Sequence, residues 1–269
     1  MSADREHLSA EDLADVVRHA FAGKRTLTGI DRLRGGTKKG VYRLVLDDGT
    51  TSLVYIWNDA EDYWPAAGTP GPSDTSGLFA HASGADLFQT AHQALSAAGV
   101  RVPRVYLLDR SRSLLAGDIA VVEDIRGGSL EALMHTDPER AARVLARLGP
   151  ALRAMHTEHH DRYGRPGQGT PAALPVEQLV LQRALAHLSE AARRVERIAA
   201  VEQQLGAILR ERCAVLTPRT RFSLIHGELG PDHVLVDEHH FVDPPREVLE
   251  RVGDGRHPPP RVGVAGAPG

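Results

Sequence analysis

The sequence predicts an α+β fold with two lobes, a β-rich N-terminal lobe followed by a mainly helical C-terminal lobe. Two observations predict it. Strand patterns with one early helix come first, and helical patterns carrying one short hairpin fill the later part of the chain. A short glycine-rich break, "RGG" at Arg126 to Gly128, lies between them. Strands and helices do not alternate regularly, which argues against repeated βαβ units.

The N-terminal lobe begins with a helix and three strand patterns. "SAEDLADVVRHAFA" carries Ser9 and, three residues later, Asp12, which resembles a capping box before apolar residues at helical spacing. The strand patterns are "TGIDRL", "GVYRLVLDDGT" and "TSLVYIW". "DDGT", Asp47 to Thr50, predicts the turn of a hairpin between the last two. "RGGTKKG" joins the first two strands and, taken alone, fits an ordinary turn with solvated lysines.

The chain continues with a long loop, a helix and two more strands. Residues 58–84 are rich in Gly, Pro and Ser and predict a surface loop. "ADLFQTAHQALSAAG" predicts a helix that ends at Gly99. "VRVPRVYLLD" and "DIAVVEDI" predict strands.

Helices dominate the second half of the chain. "DPERAARVLARLGPALRAMH" places Asp137 at the N-cap and Pro138 at the first helical position, with a kink expected at Gly149-Pro150. A long helix is predicted over 176–212, with an interruption near Ile198. "HVLVDEHHFVD" then predicts a short hairpin.

Composition narrows the functional classes. The 269 residues carry a net charge of −3, which predicts no general attraction to nucleic acid or to an anionic membrane. No apolar run approaches the roughly 20 residues that a membrane span requires. The polar N-terminus lacks the features of a secretory signal, and the single cysteine, Cys213, fits a reducing cytoplasm. The sequence does not indicate an oligomeric state.

One segment carries the chemistry. "LIHGELGPDHVLVD", residues 224–237, contains His226, Glu228 and His233 in the spacing H-x-E-x4-H. This spacing matches the H-x-D-x4-N catalytic loop of kinase-like phosphotransferases, where the acid accepts the proton of the attacking hydroxyl. A plain Gly-Pro turn with incidental histidines is the simpler alternative.

The segment resembles the "HGDLxPxNVLV" loop of the aminoglycoside phosphotransferase (APH-like) family. Four other segments resemble that family in the same order, up to about residue 243: "GGTKKGVYRL", "FQTAHQALSAAGVRVPRV", "AVVEDIRGGSLEAL" and "LGPALRAMHTEHHDRYG". The resemblance implies a protein-kinase-like fold. It implies an N-lobe over 1–122, a linker over 123–128 and a C-lobe over 129–243. Residues 244–269 form a Pro/Gly-rich tail that is expected to be poorly ordered, leaving the C-lobe incomplete.

The resemblance also implies an activity and a set of site residues. The expected reaction is phosphorylation of a small-molecule hydroxyl, with ATP and Mg²⁺ as cofactors. Glu228 and His226 are the expected catalytic residues, and His233 and Asp243 the expected metal ligands. The expected nucleotide-binding residues lie in the glycine-rich loop and the linker: Gly35, Gly36, Thr37, Lys38, Lys39, Gly40, Glu123 and Ile125.

Several positions depart from the family pattern. Glu228 replaces an aspartate, and His233 replaces an asparagine, although Mg²⁺ prefers oxygen ligands. "SLVYIW" has no lysine where such kinases place a phosphate-binding one. The chain has only three lysines, Lys24, Lys38 and Lys39, so Lys38, Lys39 or Arg43 could supply that charge instead.

Two other functions remain open from the sequence. A kinase-like module that has lost catalysis, and binds a nucleotide or a partner protein, would explain the missing lysine. A metal hydrolase is a weaker reading, because no H-E-x-x-H motif is present. It would rely on two clusters: His156, His159, His160 and Asp161, and His233, His239, His240 and Asp243.

Overall fold

The computed structural model describes residues 7–33, 39–62, 84–164, 174–227 and 229–237. Its first half is an antiparallel sheet flanked by two helices, and its second half is mainly helical, which confirms the predicted α+β class. Among these residues, no helix is long and apolar enough to cross a membrane.

The N-terminal sheet has five strands in the order β1-β2-β3-β5-β4, and all neighbouring pairs are antiparallel. The elements are α1 Ala10–Ala20, β1 Leu27–Arg32, β2 Gly40–Leu46, β3 Thr51–Trp57, α2 Ala85–Ala97, β4 Val105–Asp109 and β5 Asp118–Glu123. The hairpin predicted at Asp47 to Thr50 is confirmed. Gly49 there has φ +79°, a conformation that glycine adopts without steric cost.

The predicted capping box of α1 is confirmed. The amide of Asp12 donates to the Ser9 hydroxyl, and the amide of Ser9 donates to the Asp12 carboxylate. Leu13, Val16 and Val17 are then fully buried against one face of the sheet. These apolar residues recur at helical spacing, so burying that stripe fixes how α1 lies on the sheet.

The opposite face of the sheet packs against α2. Phe88 of α2 contacts the rings of Tyr55 and Trp57 on β3 and joins a cluster around the buried Leu53, Ala120 and Val122. β4 begins only at Val105, later than the sequence predicts. Pro103 lacks an amide hydrogen and cannot donate to a neighbouring strand.

The C-terminal half contains five helices among the described residues. They are α3 Leu130–Thr136, α4 Pro138–Thr157, α5 Val176–Arg194, α6 Glu196–Ala199 and α7 Glu202–Ala214. Asp137 caps α4 as predicted, and α4 continues through Gly149 and Pro150 without ending there. The interruption predicted near Ile198 is confirmed, because α6 is a separate short helix between α5 and α7.

Two short elements complete the described C-terminal half. β6, His159–His160, pairs with β7, Phe222–Ser223, and Pro231–His233 form a single 3-10 turn. Of the hairpin predicted over residues 233–243, the described part makes an isolated bridge from Leu235 to Ser129, and the rest lies outside the described residues.

Candidate functional site

Two predicted nucleotide-binding residues, Lys39 and Gly40, lie at the start of β2 and face opposite sides of the sheet. Gly40 pairs with Ile56, and Arg43 pairs with Leu53. Successive residues of a strand point to opposite faces. Continuing this register by one residue sets Lys39 opposite Trp57, on the face that also carries Leu53 and Tyr55.

Lys39 lies on two aromatic rings of that face. Its ammonium nitrogen is 3.7 Å from the centroid of the Tyr55 ring and 5.6 Å from that of Trp57, within the range of a cation–π interaction. Burial lowers the pKa of Lys39 to about 8. A lysine that directly precedes β2 thus contacts β3, the strand on which the sequence lacks one. Gly35, Gly36, Thr37 and Lys38 lie outside the described residues.

Gly40 is confined by a buried carboxylate that the sequence did not reveal. A Cβ at Gly40 would lie 2.6 Å from Cδ of Glu61 and 2.8 Å from its Cγ, so only glycine fits without displacement. Glu61 is 4% exposed and accepts hydrogen bonds from Tyr42 and, at 2.8 Å, from Arg32. Burial by itself would raise the pKa of Glu61, but these two hydrogen bonds outweigh it and hold the pKa below its ordinary value.

Both side-chain oxygens of Glu123, the first residue of the linker, accept hydrogen bonds. Its two carboxylate oxygens accept from Arg101 at 2.6 and 2.7 Å, and one also accepts from the Arg104 amide at 2.9 Å. A cavity of about 650 Å³ lies beside these groups, between the end of α2, the start of β4 and Asp237. Recognition of a base by Glu123 would therefore involve its main chain.

The side chain of the next residue, Asp124, points away from that of Glu123 and binds residues of β2 and β3. Its side chain is 1% exposed and accepts from Arg43 Nε at 2.7 Å, from Arg43 Nη2 at 3.2 Å and from the Thr51 hydroxyl at 2.7 Å. This hydrogen-bonded pair raises the pKa of Arg43. The Arg43 guanidinium is thus paired with Asp124 of the linker. Of the three residues expected to supply a phosphate-binding charge, Lys38, Lys39 and Arg43, Lys39 is therefore the candidate that the structure describes without such a carboxylate partner.

The "RGG" break brings the linker against the exit of the 224–237 segment. A Cβ at Gly127 would lie 2.0 Å from the carbonyl oxygen of Val236, so glycine is required at this approach. The Val236 amide donates to the Gly128 carbonyl at 2.9 Å, and the Leu130 amide donates to Val234 at 2.8 Å. Residues 128–130 and 234–236 are therefore joined through main-chain hydrogen bonds.

His226 and His233 lie close together. Their rings stack with centroids 6.3 Å apart and planes at 25°. His233 Nε2 also lies 3.4 Å from Oδ2 of Asp232. Glu228, between the two histidines, and Asp243 lie outside the described residues, so the expected catalytic carboxylate and metal aspartate stay predictions.

The described residues do not support the hydrolase reading. No group of three His, Cys, Asp or Glu side chains within the described ranges is arranged to hold a metal ion. His159 and His160 are consecutive residues of β6, where side chains point to opposite faces. His159 instead makes a 3.0 Å hydrogen bond with the Ser223 hydroxyl. Of the second cluster, His239, His240 and Asp243 lie outside the described residues.

Comparison with known proteins identifies a family match. The model of APH, the phosphotransferase enzyme family, matches residues 76–244, well over half of the chain. No curated protein matches the sequence.

Solved structures also resemble the chain. One, from Ralstonia eutropha JMP134, is provisionally described as an aminoglycoside phosphotransferase; it has 15% identity and a TM-score of 0.44, over 75% of this chain and 54% of its own. Another, from Thermobifida fusca YX-ER1, is provisionally described as a fructosamine-3-kinase; it has 22% identity and a TM-score of 0.41, over 84% of this chain and 72% of its own. The chain thus spans about half the length of the first protein.

Proposed function

The chain belongs to the APH phosphotransferase enzyme family, and from that premise we propose that it transfers the terminal phosphoryl group of ATP to a hydroxyl of a small molecule. The family match carries this proposal, because residues 76–244 include both the linker and the H-x-E-x4-H segment. An aminoglycoside or a related antibiotic or metabolite is the proposed class of acceptor.

The arrangement of the sheet supports a nucleotide with its base at the linker. Leu53 pairs with Val122, directly before the linker, and Tyr55 follows two residues later on the same face. Two residues of a strand span about 7 Å. The Lys39 ammonium, which lies over Tyr55, is therefore displaced along the strand from the linker, where it could meet the phosphates of a nucleotide whose base edge contacts Glu123 and Ile125.

Each proposed residue has one task. Glu228 accepts the proton of the acceptor hydroxyl as its oxygen bonds to the γ-phosphorus, and the bond from phosphorus to the ADP oxygen breaks. His226 supports the loop that carries Glu228. Lys39, with backbone amides of Gly35 to Gly40, offsets the phosphate charge. Positioning of the reactants and compensation of the phosphate charge supply most of the rate enhancement in such reactions.

Mg²⁺ is proposed on the family resemblance alone, to neutralise the phosphates when bound. Within the described residues, His233 and Asp232 offer one nitrogen and one carboxylate, and no group of three candidate ligands forms. Such a pair does not make the oxygen-rich octahedral site that Mg²⁺ prefers. Asp243 is the proposed additional ligand, and no step above depends on the metal.

Product analysis tests the proposal. Purified protein is incubated with Mg²⁺-ATP and a panel of aminoglycosides, macrolides and amino alcohols, and phosphorylated products are detected by mass spectrometry. Glu228→Ala should abolish the product, and Glu139→Ala, an exposed carboxylate in the first turn of α4, should leave it unchanged. Lack of product with every acceptor, together with background ATP hydrolysis that Glu228→Ala does not alter, would refute catalysis for that panel.

A nucleotide-binding module without catalysis is the second candidate. His233 in place of asparagine and the lack of a lysine on β3 favour it. Calorimetric titration with ATP, with and without Mg²⁺, separates the two. Tight binding that does not depend on Mg²⁺, without product formation, would support the module, and Mg²⁺-dependent binding with turnover would support the enzyme.

A further inference from the structure

The linker is held from both sides by ion pairs of consecutive residues. Glu123 binds Arg101 on the side of the α2–β4 connection, and Asp124 binds Arg43 on β2. Consecutive side chains of an extended chain point in opposite directions, so the two pairs restrain the same stretch of backbone from opposite sides.

The Asp124 pair is the more enclosed of the two. Its carboxylate is 1% exposed, whereas the side chains of Arg101 and Glu123 are 39% and 27% exposed. Burial by itself would raise the pKa of Asp124, but the hydrogen bonds from Arg43 and Thr51 outweigh it and lower the pKa. The group therefore stays charged and paired. Desolvation offsets much of the attraction within an enclosed ion pair, so net stability alone does not account for it.

We propose that Asp124, through Arg43 and Thr51, is a positioning residue that fixes the linker backbone for recognition of the nucleotide base. The proposal rests on the proposed function, since it presumes that a base binds at Glu123 and Ile125. The partners of Asp124, Arg43 and Thr51, lie 81 and 73 residues earlier in the sequence. The side chain of Asp124 thus ties the linker to both β2 and β3.

Asp124 lies far enough from Lys39 that a substitution at Asp124 should affect binding of the base and not binding of the phosphates. Thr51 begins β3 at the linker end, and Lys39 contacts Tyr55 four residues further along. Four residues of a strand span about 13 Å. Loss of the Asp124 pair should disturb the linker and leave the surroundings of Lys39 intact. A ligand made only of phosphates should then bind as before.

Binding of two ligands by Asp124→Asn tests the inference. Calorimetric titration with ATP should show roughly tenfold weaker binding, the scale expected for loss of a charged hydrogen bond. Titration with inorganic tripolyphosphate should show the affinity of the wild type. The ratio of the affinities for ATP and GTP should move closer to one. In steady-state kinetics, KM for ATP should rise by a larger factor than kcat falls. Thr51→Val, which keeps the Arg43 pair, should give a smaller change in the same direction.

An ion pair within α1 provides the control. Asp15 binds Arg18 at 2.9 Å, and Asp15→Asn should leave binding of both ligands unchanged. Hydrogen exchange of residues 123–128 without nucleotide should accelerate in Asp124→Asn and not in Asp15→Asn. If Asp124→Asn bound ATP and tripolyphosphate with equally reduced affinity, or bound ATP as tightly as the wild type does, this inference would be overturned and the proposed function would stand. A wild type that binds no ATP would instead refute the proposed function, and this inference with it.

Discussion

The ammonium nitrogen of Lys39 lies 3.7 Å from the centre of the Tyr55 ring, on the strand where a phosphate-binding lysine is missing from the sequence. Tyr55 belongs to β3 and Lys39 directly precedes β2. The pairing of these strands thus brings a cation to a face that β3 itself leaves uncharged. A cation so placed is attracted by the electron-rich face of the ring.

Lys39→Met should weaken binding of ATP and of tripolyphosphate alike by roughly tenfold, because each loses a charged partner. Lys39→Arg should retain most of the affinity. Lys24→Met, which removes an exposed lysine after α1, is the matched control and should bind as the wild type does. Calorimetric titration measures all four proteins. Unchanged affinity in Lys39→Met would remove Lys39 from the phosphate site.

The pH dependence of binding should report the same group. The pKa of Lys39 lies at about 8, so the side chain is charged well below that pH and loses its charge as pH rises through it. The affinity of the wild type for tripolyphosphate should therefore decline as pH rises through 8, and that of Lys39→Arg should not decline in this range. Identical profiles for the two proteins would show that another group controls binding.

Stability should change with pH in the opposite sense. The folded protein holds the Lys39 proton less tightly than the unfolded chain, whose lysine titrates near 10.5. Between pH 8 and 10.5 the unfolded state binds more protons, so the free energy of unfolding should rise with pH relative to that of Lys39→Met. Denaturant titrations of both proteins across this window measure the difference, which should level off above pH 10.5.

Gly40→Ala should destabilise the protein by about 1–3 kcal/mol, the usual cost of forcing extra atoms into a packed site. The added methyl group would lie 2.6 Å from Cδ of Glu61. Gly29→Ala is the matched control in β1, where the nearest atom would be 3.7 Å away. Thermal and denaturant unfolding of both variants measure the contrast. Equal effects of the two substitutions would contradict the close contact between Gly40 and Glu61.

Glu61→Gln should destabilise the protein at neutral pH by about 1.5–3 kcal/mol, as expected when a hydrogen bond loses its charge. The pKa of Glu61 is lowered in the fold, so its contribution is present above the unfolded value of 4.5 and is lost as pH falls through the folded value. The difference between wild type and variant should therefore shrink in acid. A difference that stays constant down to the lowest pH measured would contradict this.

Ser9→Ala should lower the free energy of unfolding by about 1 kcal/mol, because it removes the N-cap acceptor of α1. Ser9→Asp, which keeps an acceptor, should lose less. Chemical denaturation is the measurement, and equal stability of Ser9→Ala and the wild type would show that the cap does not contribute.

Local elements could be predicted from the sequence with fair accuracy. The capping box at Ser9, the turn at Asp47 to Thr50 and the cap at Asp137 follow from hydrogen bonds between residues two to four positions apart. Such bonds depend on residue types and spacing alone, which the sequence displays directly. The family likewise followed from the order of motifs around residues 226–235, and the match over 76–244 confirms it.

Long-range partners could not be predicted in this way. Arg43 was one candidate for a phosphate charge, yet it binds Asp124, 81 residues away. Glu61 carried no sequence signal and nonetheless encloses Gly40. The start of β4 at Val105 was also missed, because strand length depends on which neighbouring groups can pair.

The sequence by itself determined the family, the α+β class and the local caps and turns of this protein. The tertiary structure alone decided that Lys39 lies over Tyr55, that Glu61 confines Gly40 and that Asp124 secures the linker to β2. The physical reason is separation along the chain. Hydrophobic periodicity and the turn at Asp47 to Thr50 restrict the faces and the register of β2 and β3. They do not specify which side chains from distant segments, such as Glu61 and Asp124, reach that pair of strands.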